Sequence, residues 1–196
     1  MHVPRARRHR YGKLVGAFLL VTVLGGLAGC QGNPEPAPLP SPTTSPSPSP
    51  SPSVASAPPV LPDEARGTSA ASARAFVRHY VDVLNHAGPS GDTTALGELT
   101  DPDCRACTSI IEFIDQVTQS GGHIEGEGWE VLAVTFVASD ETTGTVIDAT
   151  VRVHPQSVQE NATAAPVNFE GGRRLKTFWL RAQGESWVVT RLDQPQ

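Results

Sequence analysis

Thr145-Val146-Ile147-Asp148-Ala149-Thr150-Val151-Arg152-Val153-His154 decides the fold class. Ile147, Ala149, Val151 and Val153 fall at every second position, with Asp148, Thr150, Arg152 and His154 between them. Successive side chains of an extended chain point to opposite faces, so this alternation predicts a strand with one apolar and one polar face. Pro155 ends it, because proline has no amide to give a sheet ladder. Upstream, Trp129 to Val137 is rich in β-branched and aromatic residues. Downstream, Arg174 to Ala182 and Ser186 to Leu192 flank Gln183-Gly184-Glu185, which predicts a hairpin. Four strands are expected, with Ser157 to Gly172 as a polar connection.

The segment before these strands has a different period. Ala73, Phe76, Val77, Tyr80, Val81 and Leu84 recur at helical spacing behind the capping candidates Thr68 and Ser69, and Gly88-Pro89-Ser90-Gly91 ends the run. Asp92 can cap a short second helix over Thr93 to Leu99. Asp101-Pro102-Asp103 opens a third, in which Cys104, Cys107, Ile110, Ile111, Ile114 and Val117 share a face until Gly121-Gly122. Helices followed by strands predict an α+β domain over 63–194, three N-terminal helices packed on a four-stranded antiparallel sheet.

Residues 30–62 contain Ser45-Pro46-Ser47-Pro48-Ser49-Pro50-Ser51-Pro52 and no aromatic side chain. Proline fixes φ and lacks a donor, so an extended, disordered Ser/Pro-rich linker is expected. At about 3.1 Å per residue it spans roughly 90 Å.

Residues 1–29 read as an export signal. Arg5, Arg7, Arg8, Arg10 and Lys13 precede the uncharged run Leu14 to Leu24, too short to span a bilayer comfortably. Leu27-Ala28-Gly29-Cys30 resembles the lipobox of bacterial lipoproteins at every position. The resemblance implies cleavage before Cys30 and a diacylglyceryl thioether on its sulfur, with palmitate-type acyl chains holding the protein at the extracytoplasmic face of the cell membrane. Arg7-Arg8 leaves Sec and twin-arginine export both open.

Without the leader the chain keeps ten basic against twenty acidic side chains, a net charge of −10. An acidic surface argues against nucleic acid as a partner, since such binding needs clustered cations. The scarcity of lysine and the abundance of Ala, Gly and Pro suit a GC-rich, actinobacterial genome.

Cys104 and Cys107 sit at a helix start, three residues apart, where their sulfurs can meet. Outside the cytoplasm such a pair tends to oxidise, and a structural disulfide is the first reading. A redox-active pair and a metal site are the others. No strand precedes the pair as in a thioredoxin unit, and no second Cys pair or His pair completes a zinc set, so neither a metal nor a cofactor is expected.

Three helices on one face of a curved antiparallel sheet resemble the cone-shaped nuclear transport factor-like, or cystatin-like, superfamily. Leu180-Arg181-Ala182-Gln183-Gly184-Glu185-Ser186-Trp187-Val188-Val189 is similar to its closing hairpin. Phe76 to Asn85, Asp101-Pro102-Asp103-Cys104-Arg105-Ala106-Cys107 and Gly121 to Trp129 also resemble an uncharacterised domain of actinobacterial lipoproteins, a likeness that brings no activity. Cone-shaped domains enclose a pocket between helices and sheet, where an enzyme would place an acid and a base. His79, Asp82, His86, His123, Asp148 and His154 are the groups available for that work, and none is assigned a catalytic role. Trp129, Trp179 and Trp187 are expected mainly in the core, and Asn161-Ala162-Thr163 reads as a chance sequon. The reading carried forward is a lipoprotein of the cell envelope whose domain binds a ligand or an envelope partner. An envelope enzyme and a thiol redox protein are the alternatives.

Overall fold

Ser69 starts the first helix. Its Oγ accepts the Ser72 amide at 3.1 Å, satisfying one of the first-turn donors that have no partner inside the helix. In the computed structural model, which describes residues 57–141 and 144–194, helix α1 runs Ala70–Ser90. Phe76, Val77, Tyr80, Val81 and Leu84 are buried as the spacing predicts, and Val83 and Ala87 widen the buried arc. Pro89 lies in the last turn, where its missing amide removes a single helical bond. Gly91, in the left-handed region at φ 71°, closes the helix with its amide on the Ala87 carbonyl. Helix α2, Thr94–Glu98, follows Asp92, whose Oδ1 accepts the Thr94 amide at 3.0 Å.

Helix α3, Arg105–Gln119, follows the Asp101-Pro102-Asp103 turn, in which Asp101 Oδ1 accepts the Asp103 amide at 3.0 Å. That bond, and the guanidinium of Arg181 on the other carboxylate oxygen, hold the Asp101 carboxyl below its ordinary range. Cys107, Ile114 and Val117 point into the core.

Among the described residues seven strands follow: β1 His123–Gly126, β2 Trp129–Asp140, β3 Gly144–Val153, β4 Gln156–Gln159, β5 Val167–Phe169, β6 Gly172–Gln183 and β7 Ser186–Asp193. They form two antiparallel sheets, one ordered β2-β3-β6-β7 and one ordered β1-β4-β5. Ile147, Ala149 and Val151 of β3 are fully buried under the helices, with Phe178 and Leu180 of β6 beside them. Each such large side chain contributes about 2 kcal/mol by leaving water. Tyr80 meets Phe178 edge-on, ring centroids 5.7 Å apart, and burial pushes the Tyr80 hydroxyl up to about 12. The segment before α3 covers the β7 edge: Asp101 donates to the Val189 carbonyl, and the Val189 amide donates to Leu99.

The α+β class and the helix-first order agree with the sequence reading. The four-stranded sheet exists, but a single sheet was expected and there are two. Ser157 to Gly172, read as a connection, carries β4 and β5, and His123–Gly126 is a strand as well. These strands have three or four residues each, too short for alternation to register, and they persist because each pairs with a neighbour. The end of the expected linker is also engaged. Leu61 packs against the core, and at the start of the expected domain Ala65, in the 3₁₀ turn Asp63–Ala65, is fully buried and Gly67 donates to the Glu185 carbonyl at 2.7 Å. Among the described residues no helix is long and apolar enough to cross a membrane.

Candidate functional site

Where the end of α1 approaches the small sheet, glycines replace side chains and a gap remains. Leu84, Gly88 and Pro89 form one wall, Ile110, Phe113 and Ile114 of α3 a second, and Ile124 and Val158 of the small sheet a third. Trp129, at the start of β2, closes the floor. The cavity is partly open, with a volume of about 170 Å³, and no lining side chain is titratable. An apolar cavity of about 150 Å³ stays dry and takes a benzene-sized guest. Drug-sized ligands fill about 300 Å³ or more, so this cavity receives one apolar end of a ligand.

Asn85 fixes the floor. Its Nδ2 donates to the Trp129 carbonyl and its Oδ1 accepts the Trp129 amide, both at 2.8 Å, as a neighbouring strand would. Gly128 makes this approach feasible. Its φ is 73°, and a Cβ there would lie 2.2 Å from Asn85 Oδ1. Lys176 of β6 reaches over the Trp129 ring, Nζ 4.8 Å from the centroid, and donates to Gln194 Oε1 at 2.8 Å. Burial, and then the charge of Arg174, lower the Lys176 pKa below its ordinary value.

The titratable groups singled out from the sequence do not converge on this cavity. His79 is buried where Pro59 and Leu61 meet Trp187, and burial lowers its pKa against the opposing pull of Asp82. Asp82 is exposed, His86 half-buried. His123 faces Glu125 at 3.5 Å, and Asp148 accepts from the Thr177 hydroxyl at 2.6 Å. His154 lines an adjoining open groove of about 870 Å³ at the junction of β3 with β4 and β5, which shares Gly126 and Gln156 with the cavity; its Nδ1 lies 3.1 Å from Glu127 and its Nε2 3.6 Å from Glu130. Trp187 is core, its Nε1 donating to Ser72 Oγ at 3.3 Å, while Trp179 carries the Arg191 guanidinium on its ring at 4.4 Å. Cys104 and Cys107 are buried with their sulfurs at disulfide distance, 2.01 Å. Among the described residues no three metal-ligating side chains cluster. Leu27, Ala28, Gly29 and Cys30 lie outside the described residues.

Sequence reasoning missed Asn85 and Lys176. A signal for Lys176 existed: Arg174, Lys176, Phe178 and Leu180 share one parity, so two cations stand on the strand face that turns inward.

Residues 45–193 match a family of unknown function (DUF6318). The chain belongs to that family. No curated protein matches it. Among solved structures, this DUF6318 member is similar to the intermembrane space region of the chloroplast protein ARC6, at 14% identity and a TM-score of 0.50, covering 64% of this chain and 95% of that one. It is also matched by a putative polyketide cyclase from Pseudomonas putida, at 10% identity and a TM-score of 0.35, covering 63% of this chain and 90% of the other. The likeness to the chloroplast protein is one of fold.

Proposed function

We propose that this DUF6318 protein is a lipid-anchored envelope protein, held at the extracytoplasmic face through Cys30. Its cone-shaped, nuclear transport factor-like domain serves as a binding module. One observation carries the binding reading: the cavity between α1, α3 and the two sheets is lined mainly by apolar side chains, with the neutral amides of Asn85 and Gln156 among them and no acid or base. General acid–base work needs two such groups within reach of one substrate atom. Burial of an apolar group needs none, and gains about 25 cal/mol per Å² removed from water. The lipobox supports the anchor, and the Ser/Pro-rich linker gives the domain reach from the bilayer. The paired sulfurs, buried at the start of α3, suit a structural bridge over a redox centre.

Benzene tests the cavity. It should raise the melting temperature of the native protein and leave the Val158→Phe variant, whose larger ring fills the space, unchanged. An equal response in both proteins removes this site from consideration. For the anchor, Cys30→Ala should abolish incorporation of a labelled fatty acid and move the protein out of the membrane fraction. Retained label refutes the assignment. The enzyme alternative has one observation in its favour, His154 between Glu127 and Glu130 at the open groove.

A further inference from the structure

We propose that Lys176, with Arg174 beside it, is the seat for the anionic head of an amphiphile whose apolar end enters the cavity over Trp129. This deepens the binding reading and rests on it. The cavity is too small for a whole ligand, so whatever enters must continue outside it. Trp129, which lines the cavity, carries a cation on its ring: Lys176 Nζ stands 4.8 Å from the ring centroid. Lys176 and Arg174 occupy the inward parity of β6, opposite the fully buried Ala149 and Val151. Each is cationic, and among the described residues neither has a carboxylate within ion-pair distance. Lys176 bonds to the neutral amide of Gln194, and Arg174 to the Arg173 carbonyl.

What sets these two apart is their place: they share the face of β6 that buries Phe178 and Leu180. A half-buried ammonium next to a second cation loses hydration with no opposite charge to offset it, which is the origin of its lowered pKa. A carboxylate or phosphate head placed there supplies the missing charge, and a charge-assisted bond is about twice as strong as a neutral one. The tail then fills a volume near that of a six- to eight-atom apolar group, by comparison with a benzene-sized cavity of about 150 Å³. The ligand class is therefore a short-chain anionic amphiphile, or the end of a longer acyl chain bearing an acidic group.

The test uses the full chain in phosphatidylcholine nanodiscs, with empty nanodiscs as the blank. Octanoate, octanol and acetate are titrated by calorimetry against the native protein, Lys176→Met and Lys176→Gln, with circular dichroism confirming the fold of each variant. Octanoate should bind about tenfold more tightly than octanol, and acetate not at all. Both Lys176 variants should reduce octanoate to the level of octanol and leave octanol unchanged. Equal binding of octanoate and octanol by the native protein overturns the anion seat while the cavity reading stands. Acetate binding as tightly as octanoate separates the cations from the cavity and overturns the proposal. No binding of either eight-carbon probe overturns both readings.

Discussion

Asn85→Ala removes the two 2.8 Å bonds that hold the Trp129 backbone. Each such bond contributes about 1 kcal/mol net, so the variant should lose about 2 kcal/mol. For a domain of this size that lowers the melting temperature by roughly 6–10 °C. Gly128→Ala acts on the same contact from the other side. Its Cβ would lie 2.2 Å from Asn85 Oδ1, so the amide must withdraw and both bonds break. The left-handed backbone adds a further cost of about 1 kcal/mol, for a total near 3 kcal/mol. Once Asn85 is alanine, the nearest remaining atom is its Cβ at 3.4 Å, ordinary contact, and Gly128→Ala costs only the backbone strain. The double variant should therefore lose about 3 kcal/mol, where simple addition gives about 5, a coupling of about 2 kcal/mol. Urea unfolding followed by tryptophan fluorescence measures all four corners of the cycle. Additivity within about 0.5 kcal/mol would refute the shared contact.

Two further perturbations follow from the buried groups. Burial lowers the pKa of His79, so the unfolded chain takes up the proton first. Its contribution to stability is complete above about pH 6.5 and is lost as the pH falls from there toward the lowered folded value. His79→Gln should flatten the fall in melting temperature between pH 7.5 and 5, and an unchanged slope counts against the buried neutral imidazole. Cys104→Ala with Cys107→Ala opens a loop of four residues, which costs about 2 kcal/mol on the chain-entropy account. Amide exchange should then quicken over 101–107 before the rest of the domain, and uniform quickening would show that the bridge acts globally.

The parts of the fold that were legible in the sequence are those in which a buried face repeats for long enough. Eight alternating residues, Ile147 to His154, marked β3, and six apolar positions at helical spacing marked α1, because each element buries one face against the other. The small sheet left no such trace. Gln156–Gln159 holds a single buried side chain, Val158, and Val167–Phe169 holds none. Their order comes from pairing across β1, β4 and β5, and pairing between segments this short, with β1 and β4 some thirty residues apart, has no signature in local composition. The candidate site was illegible for the same reason. Its walls come from α1, α3, β1, β2 and β4, and the titratable side chains that drew attention in the sequence lie elsewhere. Lys176 was visible only through the parity of its strand, which an interior cation contradicts by the usual rule of burial.

The cavity exists because of what is missing at a helix crossing. Phe76, Tyr80 and Phe178 fill the space between α1 and the large sheet, whereas Gly88 and Gly128 stand where α1 nears the small one. Gly128 is required by its backbone, but Gly88 is not. It lies inside α1 without a positive φ, and a Cβ there would meet only Ile124 Cγ2, at 4.0 Å. Alanine favours a helix interior over glycine by up to about 1 kcal/mol. Gly88→Ala should therefore stabilise the domain by several tenths of a kcal/mol and narrow the cavity by about one methyl group, raising the melting temperature while weakening benzene and octanoate binding together. A residue that sacrifices helix stability to keep a wall open is what a binding site predicts, since stability and function trade at such positions. If the alanine variant were stabilised and bound both probes as tightly as before, the opening would be a packing defect and the functional reading of this crossing would fall.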